Sequence, residues 1–356
     1  MLWGSLSWAQ TPDSVRSVRL AIFAAPLSRD GPGLLLRDIL AADDPQIAAI
    51  LAIINDVSPD VLLLTDIDFD AGNAALSAFS AALARPYPNL FTLRPNAGLQ
   101  TGLDLDGDGY AGDDRDAMGY GRFAGDGGMA LLSRYPIKTG DVVDYTSLLW
   151  RDLPEAGLPM SGEQLFPSAA VFETLRLSSS GHWVVPIDLG EGRITVLASS
   201  STPPVFDGPE DFNGLRNKDE LRLWEHLLGG TFGAVPVYPV VMGNTNLDPA
   251  DGDGLRDAMA SFLVRPDLQD PQPRSAGGLA AADPGQRGDP ALDTADWPDG
   301  RPGNLRVSYI LPSDALRVLD AAVYWPDPAD PKAAALGDDG LVAGAHRLVW
   351  VDVALP

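Results

Sequence analysis

The chain of 356 residues is long enough for one large layered domain and short for three. It carries 49 acidic against 25 basic residues, a formal net charge of −24, and its lysines are confined to Lys138, Lys218 and Lys332, so nothing offsets the repulsion of nucleic-acid phosphates. It has no cysteine, which excludes disulfides, thiolate metal sites and cysteine nucleophiles, and no apolar stretch approaches the ~20 residues that span a bilayer.

Residues 1–16 read as a tail, and 17–356 as one domain. Ser7-Trp8-Ala9-Gln10 resembles the end of a cleaved export signal, although no basic segment precedes it. The competing reading is a disordered chain end.

From Val18 onward, short apolar runs alternate with amphipathic stretches. Val18–Ala24 is expected to be a strand. Pro45–Val57 places Ile47, Ile50, Leu51 and Ile54 at helical spacing, with Pro45 suited to a first turn. Val61–Thr65 has no polar alternation and reads as a strand buried on both faces. Ala71–Ala84 is a second helix. Strands are expected at Gly128–Ser133, Val171–Leu177 and Ile194–Ser199, and a helix at Gly214–Leu228 with Leu221, Trp224, Leu227 and Leu228 on one face. Val237–Met242, Arg306–Leu311, Leu316–Tyr324 and Arg347–Val353 complete the strands. Helices separate only some of them, which points to an α/β (α+β) architecture of two packed sheets flanked by helices. Gly98–Gly128 and Pro266–Gly303 are long irregular segments rich in Gly and Asp, the second also in Pro.

Polar residues collect where strands end. Val61–Thr65 runs into Asp66, Asp68 and Asp70; Ile194–Ser199 into Ser200, Ser201 and Thr202; Val237–Met242 into Asn244, Asn246 and Asp248. The last strand is entered through Ala345-His346. Asp and Asn often merely cap turns, but four such ends in this order can converge on a metal and a phosphate.

Several segments together carry a family resemblance. They are Pro59–Asp70, Gly119-Tyr120-Gly121-Arg122-Phe123, Gly128–Ile137, Ser201–Asp211, Arg216-Asn217-Lys218-Asp219-Glu220 and Ala345–Asp352. In that order they resemble the endonuclease/exonuclease/phosphatase superfamily, and more narrowly its exported bacterial members. The resemblance implies a four-layer αββα sandwich, Mg²⁺-dependent phosphoester hydrolysis and a secreted or periplasmic location. It also implies which positions would act, and five of them depart from the pattern. The first-strand Asn falls at Ala24. The metal-binding Glu falls at Asp66, one methylene shorter. A mid-chain His falls at Ser200, the Asp of a Gly-Asp-x-Asn motif at Asn244 with the second Asn kept as Asn246, and the Asp of a Ser-Asp-His motif at Ala345 with His346 kept.

Each departure removes a capability. Asn244 cannot take a proton as an ionised Asp does, Ser200 offers no cation to phosphate charge, and Ala345 gives His346 no carboxylate to fix its tautomer. The resulting expectation is a phosphoesterase fold with weak or no hydrolysis, keeping a cavity for a small phosphoester or an unknown ligand. Catalytic vestiges would be Asp66, Ser200, Asn244, Asn246 and His346. The competing expectation is an active Mg²⁺-dependent phosphatase or nuclease with a rearranged metal site using Asp66, Asp68 and Asp70. A third class is a structural surface protein held by Ca²⁺.

Asp104-Leu105-Asp106-Gly107-Asp108-Gly109 matches the first half of a Ca²⁺ loop, with oxygens at positions 1, 3 and 5 and Gly at 6. Position 12 is Arg115, so Asp104, Asp106 and Asp108 would need substitutes such as Asp113, Asp114 or Asp116. Asp251-Gly252-Asp253-Gly254 reads as a turn, His182 as a residue of a surface loop or else of a pocket wall, and His226 as a solvated or satisfied helix residue. Asn217, Asp219 and Glu220 open a helix, where acids suit the dipole.

Overall fold

The structure, a computed structural model, describes residues 17–300 and 302–356; the tail expected at residues 1–16 lies outside the described residues. In chain order the elements are β1 (Ser17–Leu27), α1 (Leu34–Ala41), α2 (Pro45–Val57), β2 (Val61–Ile67), α3 (Ala74–Ala82), β3 (Asn89–Phe91), β4 (Gly128–Ser133), β5 (Val143–Asp144), β6 (Met160–Ser161), β7 (Gln164–Leu165) and α4 (Ala169–Phe172). There follow β8 (Gly181–Asp188), β9 (Arg193–Ser200), α5 (Phe212–Leu228), β10 (Pro239–Asn244), α6 (Arg256–Leu263), α7 (Ala276–Ala280), β11 (Ser308–Pro312), β12 (Arg317–Val323) and β13 (Val349–Ala354).

Two large mixed sheets pack face to face. One has the order β12-β13-β1-β2-β4-β3 and the other β11-β10-β9-β8-β5. Alternation along the strands explains the layering. In β9 and β10, Val196, Ala198, Val240 and Met242 join the core shared with the first sheet. Leu197 and Val241 point the other way, into a second core with Leu221 and Trp224 of α5 and Phe262 of α6. Both faces are therefore covered, and the strands read as unbroken apolar runs. On the far side, Ile47, Ile50 and Ile54 of α2 pack on the first sheet. Asp44 caps α2, accepting from the amides of Gln46 at 2.8 Å and Ile47 at 3.1 Å. The result is the expected four-layer αββα sandwich, and Val61–Leu64, Val196–Ala198 and Val240–Met242 are buried throughout.

Two expectations are corrected. Val171–Leu177 does not form a strand: Val171, Phe172 and Leu175 are buried at i, i+1 and i+4, the spacing of one helical turn, and the chain forms α4 and a turn there. His182 is not on a surface loop. It lies inside β8, fully buried, with Nδ1 2.6 Å from Ser178 Oγ and Nε2 3.0 Å from the Glu220 carbonyl. Pro186 obscures this strand in the sequence. It is accommodated because β5 pairs only with Trp183 and Val184, so the ladder on that side needs no amide from residue 186.

Candidate functional site

β1 and β2 run parallel in one sheet, β9 and β10 parallel in the other. Their carboxyl ends open on the same rim, where a cavity of about 700 Å³ lies. Ala24, Asp66, Ser200, Asn244, Asn246 and His346 all line it. The fold thus brings together the expected strand-end positions, from four strands and the approach to a fifth.

Asp66 owes its aim to a bulge. The pairing of β2 with β4 skips between Thr65 and Ile67, and Asp66 takes the left-handed conformation with φ 63°. Its side chain is exposed to the cavity but has protein on its other sides, and among the described residues it has no hydrogen-bond partner. Burial, then the charges of Asp126 and Asp68, push its pKa up to about 7. Asp68 and Asp70 are committed elsewhere. Asp68 accepts from the Arg29 amide at 3.0 Å and the Gly127 amide at 3.4 Å. Asp70 caps α3, accepting from the amides of Ala74 and Ala75 at 2.7 and 2.8 Å.

An amide relay sits at the end of β10. Asn246 Nδ2 donates to the Ser201 carbonyl at 2.8 Å, and Asn244 Nδ2 donates to Asn246 Oδ1 at 3.2 Å. The backbone carbonyl fixes the direction of both amides. Asn244 Oδ1 is left buried without a partner, as are Thr65 Oγ1 and Ser180 Oγ on the same cavity wall. Ser308, in register with Asn244 on β11, also holds an unpartnered buried hydroxyl.

His346 enters from the loop before β13. Its ring stands edge-on to Trp297 with centroids 5.1 Å apart, and its Nδ1 is buried without a partner. Burial, then the neighbouring charge of Arg347, lowers its pKa to about 4, so it is a neutral imidazole at physiological pH. Among the described residues, no carboxylate bonds to its Nδ1 in place of the one missing at Ala345.

The rim is held by α5. Glu220 Oε1 accepts from Ser179 N at 2.6 Å and Ser179 Oγ at 2.8 Å, and Oε2 from Thr202 N at 2.7 Å. Asn217 Nδ2 donates to the carbonyls of Thr202 and Thr245, both at 2.7 Å. The expectation that Asn217, Asp219 and Glu220 open a helix is corrected: α5 starts at Phe212 and they lie in its interior, where Asn217 and Glu220 tie together the loops around β8, β9 and β10. His226 is satisfied, its Nε2 3.0 Å from the Pro154 carbonyl. Residues that sequence reasoning did not assign to the site also line the cavity: Thr65, Ser180, Phe206, Trp297, and the turn at Asp251–Gly254. Tyr120, quoted in the sequence only as part of a motif, is a wall residue too.

A profile of the Endonuclease/Exonuclease/phosphatase family matches residues 35–338. The chain belongs to that family. Solved structures agree on the fold. The family member from Beutenbergia cavernae is 19% identical with a TM-score of 0.55, the match covering 96% of this chain and 72% of that one. The family member from Bacteroides vulgatus is 12% identical with a TM-score of 0.51, over 96% and 100%. The human Nocturnin catalytic domain, solved with a sulfate anion, is 16% identical with a TM-score of 0.50, over 96% and 95%. No curated protein matches the sequence.

Members of the family are generally dependent on divalent cations. The donor set at this cavity floor does not fit such an ion well. Ala24 offers no ligand, both atoms of the Asn246 amide are engaged, and of the strand-end positions Asp66 alone offers a carboxylate, while Asp248 and Asp251 on the wall are taken up by backbone amides. Among the described residues, the group of three acids able to converge on one ion is Asp104, Asp106 and Asp108, whose oxygens lie within 4.8 Å of one another. That loop is not part of the cavity wall.

Proposed function

We propose that this family member binds a small ligand in the strand-end cavity and hydrolyses phosphoesters weakly or not at all. One observation carries the reading. Among the described residues the cavity wall holds no Lys or Arg, while Asp66, Asp248, Asp251 and Asp253 contribute carboxylates and His346 is held neutral. Phosphoryl transfer needs positive charge aimed at the phosphate oxygens; with no described side-chain cation on this wall a metal ion would have to supply it, and Ala24 and the engaged Asn246 amide offer such an ion no ligand. Asn244 stands where the family resemblance calls for a base, and an amide takes no proton in this pH range. Thr65, Ser180, Asn244 and His346 on this wall each keep a buried polar atom without a protein partner. Incubation with Mg²⁺ or Mn²⁺ and generic phosphomono- and diesters tests the reading; turnover well above background would overturn it.

The Asp104–Asp108 loop is a second, separate proposal. Convergence of three carboxylates there favours a Ca²⁺ ion as a structural clamp. Export to the periplasm or medium belongs to the same set of proposals and is supported by the family resemblance and Ser7–Gln10.

A further inference from the structure

We infer that the ligand of the strand-end cavity is an organic cation, an ammonium group carried on an apolar body. This deepens the preceding proposal and rests on it.

The hydrogen-bonding character of the floor comes first. Because the Ser201 carbonyl orients Asn246 and Asn246 orients Asn244, the atom that Asn244 leaves free is an acceptor, Oδ1. Asp66 adds a carboxylate without a partner among the described residues. A phosphate or carboxylate ligand would set its acceptors against the unpartnered Asp66 carboxylate, while the hydroxyls of Thr65 and Ser180 can turn to donate or accept. A ligand that donates satisfies Asp66.

Charge points the same way. The oxygens of Asp248 and Asp251 are occupied by backbone amides, those of Ala250, Asp251 and Arg306 for Asp248, and of Arg287 and Gly288 for Asp251. Asp251 also pairs with the Arg287 guanidinium at 3.4 Å, whereas among the described residues Asp66 and Asp253 have no such bonds. The net charge of −24 adds a field that draws cations toward the mouth.

The walls separate an organic cation from a bare metal ion. Phe206 and Tyr120 line the cavity although 81% and 66% exposed, and Trp297 stands over His346. These three aromatic residues line the same cavity as Asp66 and Asp253, and ammonium groups favour the negative faces of such rings. A metal ion needs neither the rings nor a volume of about 700 Å³, which suits a drug-sized molecule.

The test is calorimetric titration of the full chain, with EDTA present, using phenethylammonium and ethanolamine, neutral benzyl alcohol, and inorganic phosphate. The expected result is that an ammonium compound binds about ten-fold or more tightly than the neutral and anionic compounds. Asp66→Asn and Phe206→Ala should each weaken that binding about ten-fold while the protein stays folded: exposed Phe206 leaves the melting curve unchanged, and Asp66→Asn removes an acid whose raised pKa costs stability, so the melting temperature does not fall. Phosphate binding more tightly than either ammonium, or benzyl alcohol matching them, overturns the inference, as does no detectable binding of any ammonium. Those failures leave the weak-hydrolase reading standing. Metal-dependent turnover of a phosphoester in a parallel assay would instead overturn the reading beneath it.

Discussion

Asn244 gives its side-chain N–H to Asn246 at 3.2 Å and keeps its own carbonyl oxygen unpartnered at the cavity floor. The family resemblance calls for a proton-accepting Asp at position 244. The amide preserves shape and a hydrogen-bonding atom there but abolishes the charge. Restoring the acid alone should therefore achieve little. Losing one preorganised charge-stabilising group commonly costs ~10²–10³ in rate, and losses within one catalytic unit do not multiply, because the rest adds little once the unit fails. Asn244→Asp is expected to stay within a few-fold of background. Combining Ala24→Asn, Asp66→Glu, Ser200→His, Asn244→Asp and Ala345→Asp should exceed every single reversion, measured as metal-dependent diester turnover. A single reversion that restores turnover on its own would contradict the account.

The calcium loop makes its own prediction. Asp104 accepts from the amides of Gly107 at 2.7 Å and Gly109 at 2.9 Å, which folds the loop so that Asp106 and Asp108 meet it. An ion bound only in the folded state at ~100 times its dissociation constant stabilises by about 2.7 kcal/mol. Ca²⁺ should raise the melting temperature, a chelator should reverse the rise, and Asp106→Asn should blunt it. An identical melt with Ca²⁺ and with chelator would leave only an acidic turn.

His182 sets a pH dependence. Burial lowers its pKa from 6.5 to about 4. Between those values the unfolded chain binds a proton that the folded chain refuses, so this residue's contribution to stability is present above pH 6.5 and is lost as pH falls toward 4. His182→Gln should lower the melting temperature at pH 7 yet flatten its decline from pH 6.5 to 4. A decline as steep as in the wild type would locate the acid sensitivity elsewhere.

Arg216 tests the scaffold behind the rim. It is buried and donates to four backbone carbonyls, those of Leu177, Arg176, Ser178 and Met118, and its charge offsets that of buried Glu220. Arg216→Met leaves these groups unpaired, and a loss of roughly 3–5 kcal/mol in chemical denaturation is expected. A loss below ~1 kcal/mol would show that water replaces the guanidinium.

The core of the fold was legible because its physics is local. Val61–Thr65 and Ile194–Ser199 are apolar runs that only a doubly covered sheet explains, and α2 carries both its cap and its periodicity. Helix α1 has the periodicity, Leu35 and Ile39 being buried one turn apart, but lacks the cap: Gly33 occupies its N-cap and no acid lies in its first turn, so nothing marks its start. Strand β8 was masked by Pro186 and by a buried histidine. The cavity floor was legible as strand ends. Its aromatic walls were not, because Phe206 and Trp297 lie on separate loops far apart in sequence, and only the packed sheets bring them to one opening. The same holds for Glu220, whose spacing suits a helix start equally well and whose burial is a tertiary fact.

The central claim is that this cavity binds and does not cleave. The direct measurement is steady-state hydrolysis of a generic phosphodiester by the wild-type chain and by His346→Ala, with saturating Mg²⁺ and with Mn²⁺. The account predicts rates near the buffer background that are the same for both proteins. Robust metal-dependent turnover by the wild type, abolished by His346→Ala, would contradict it and show a rearranged active site in place of a retired one.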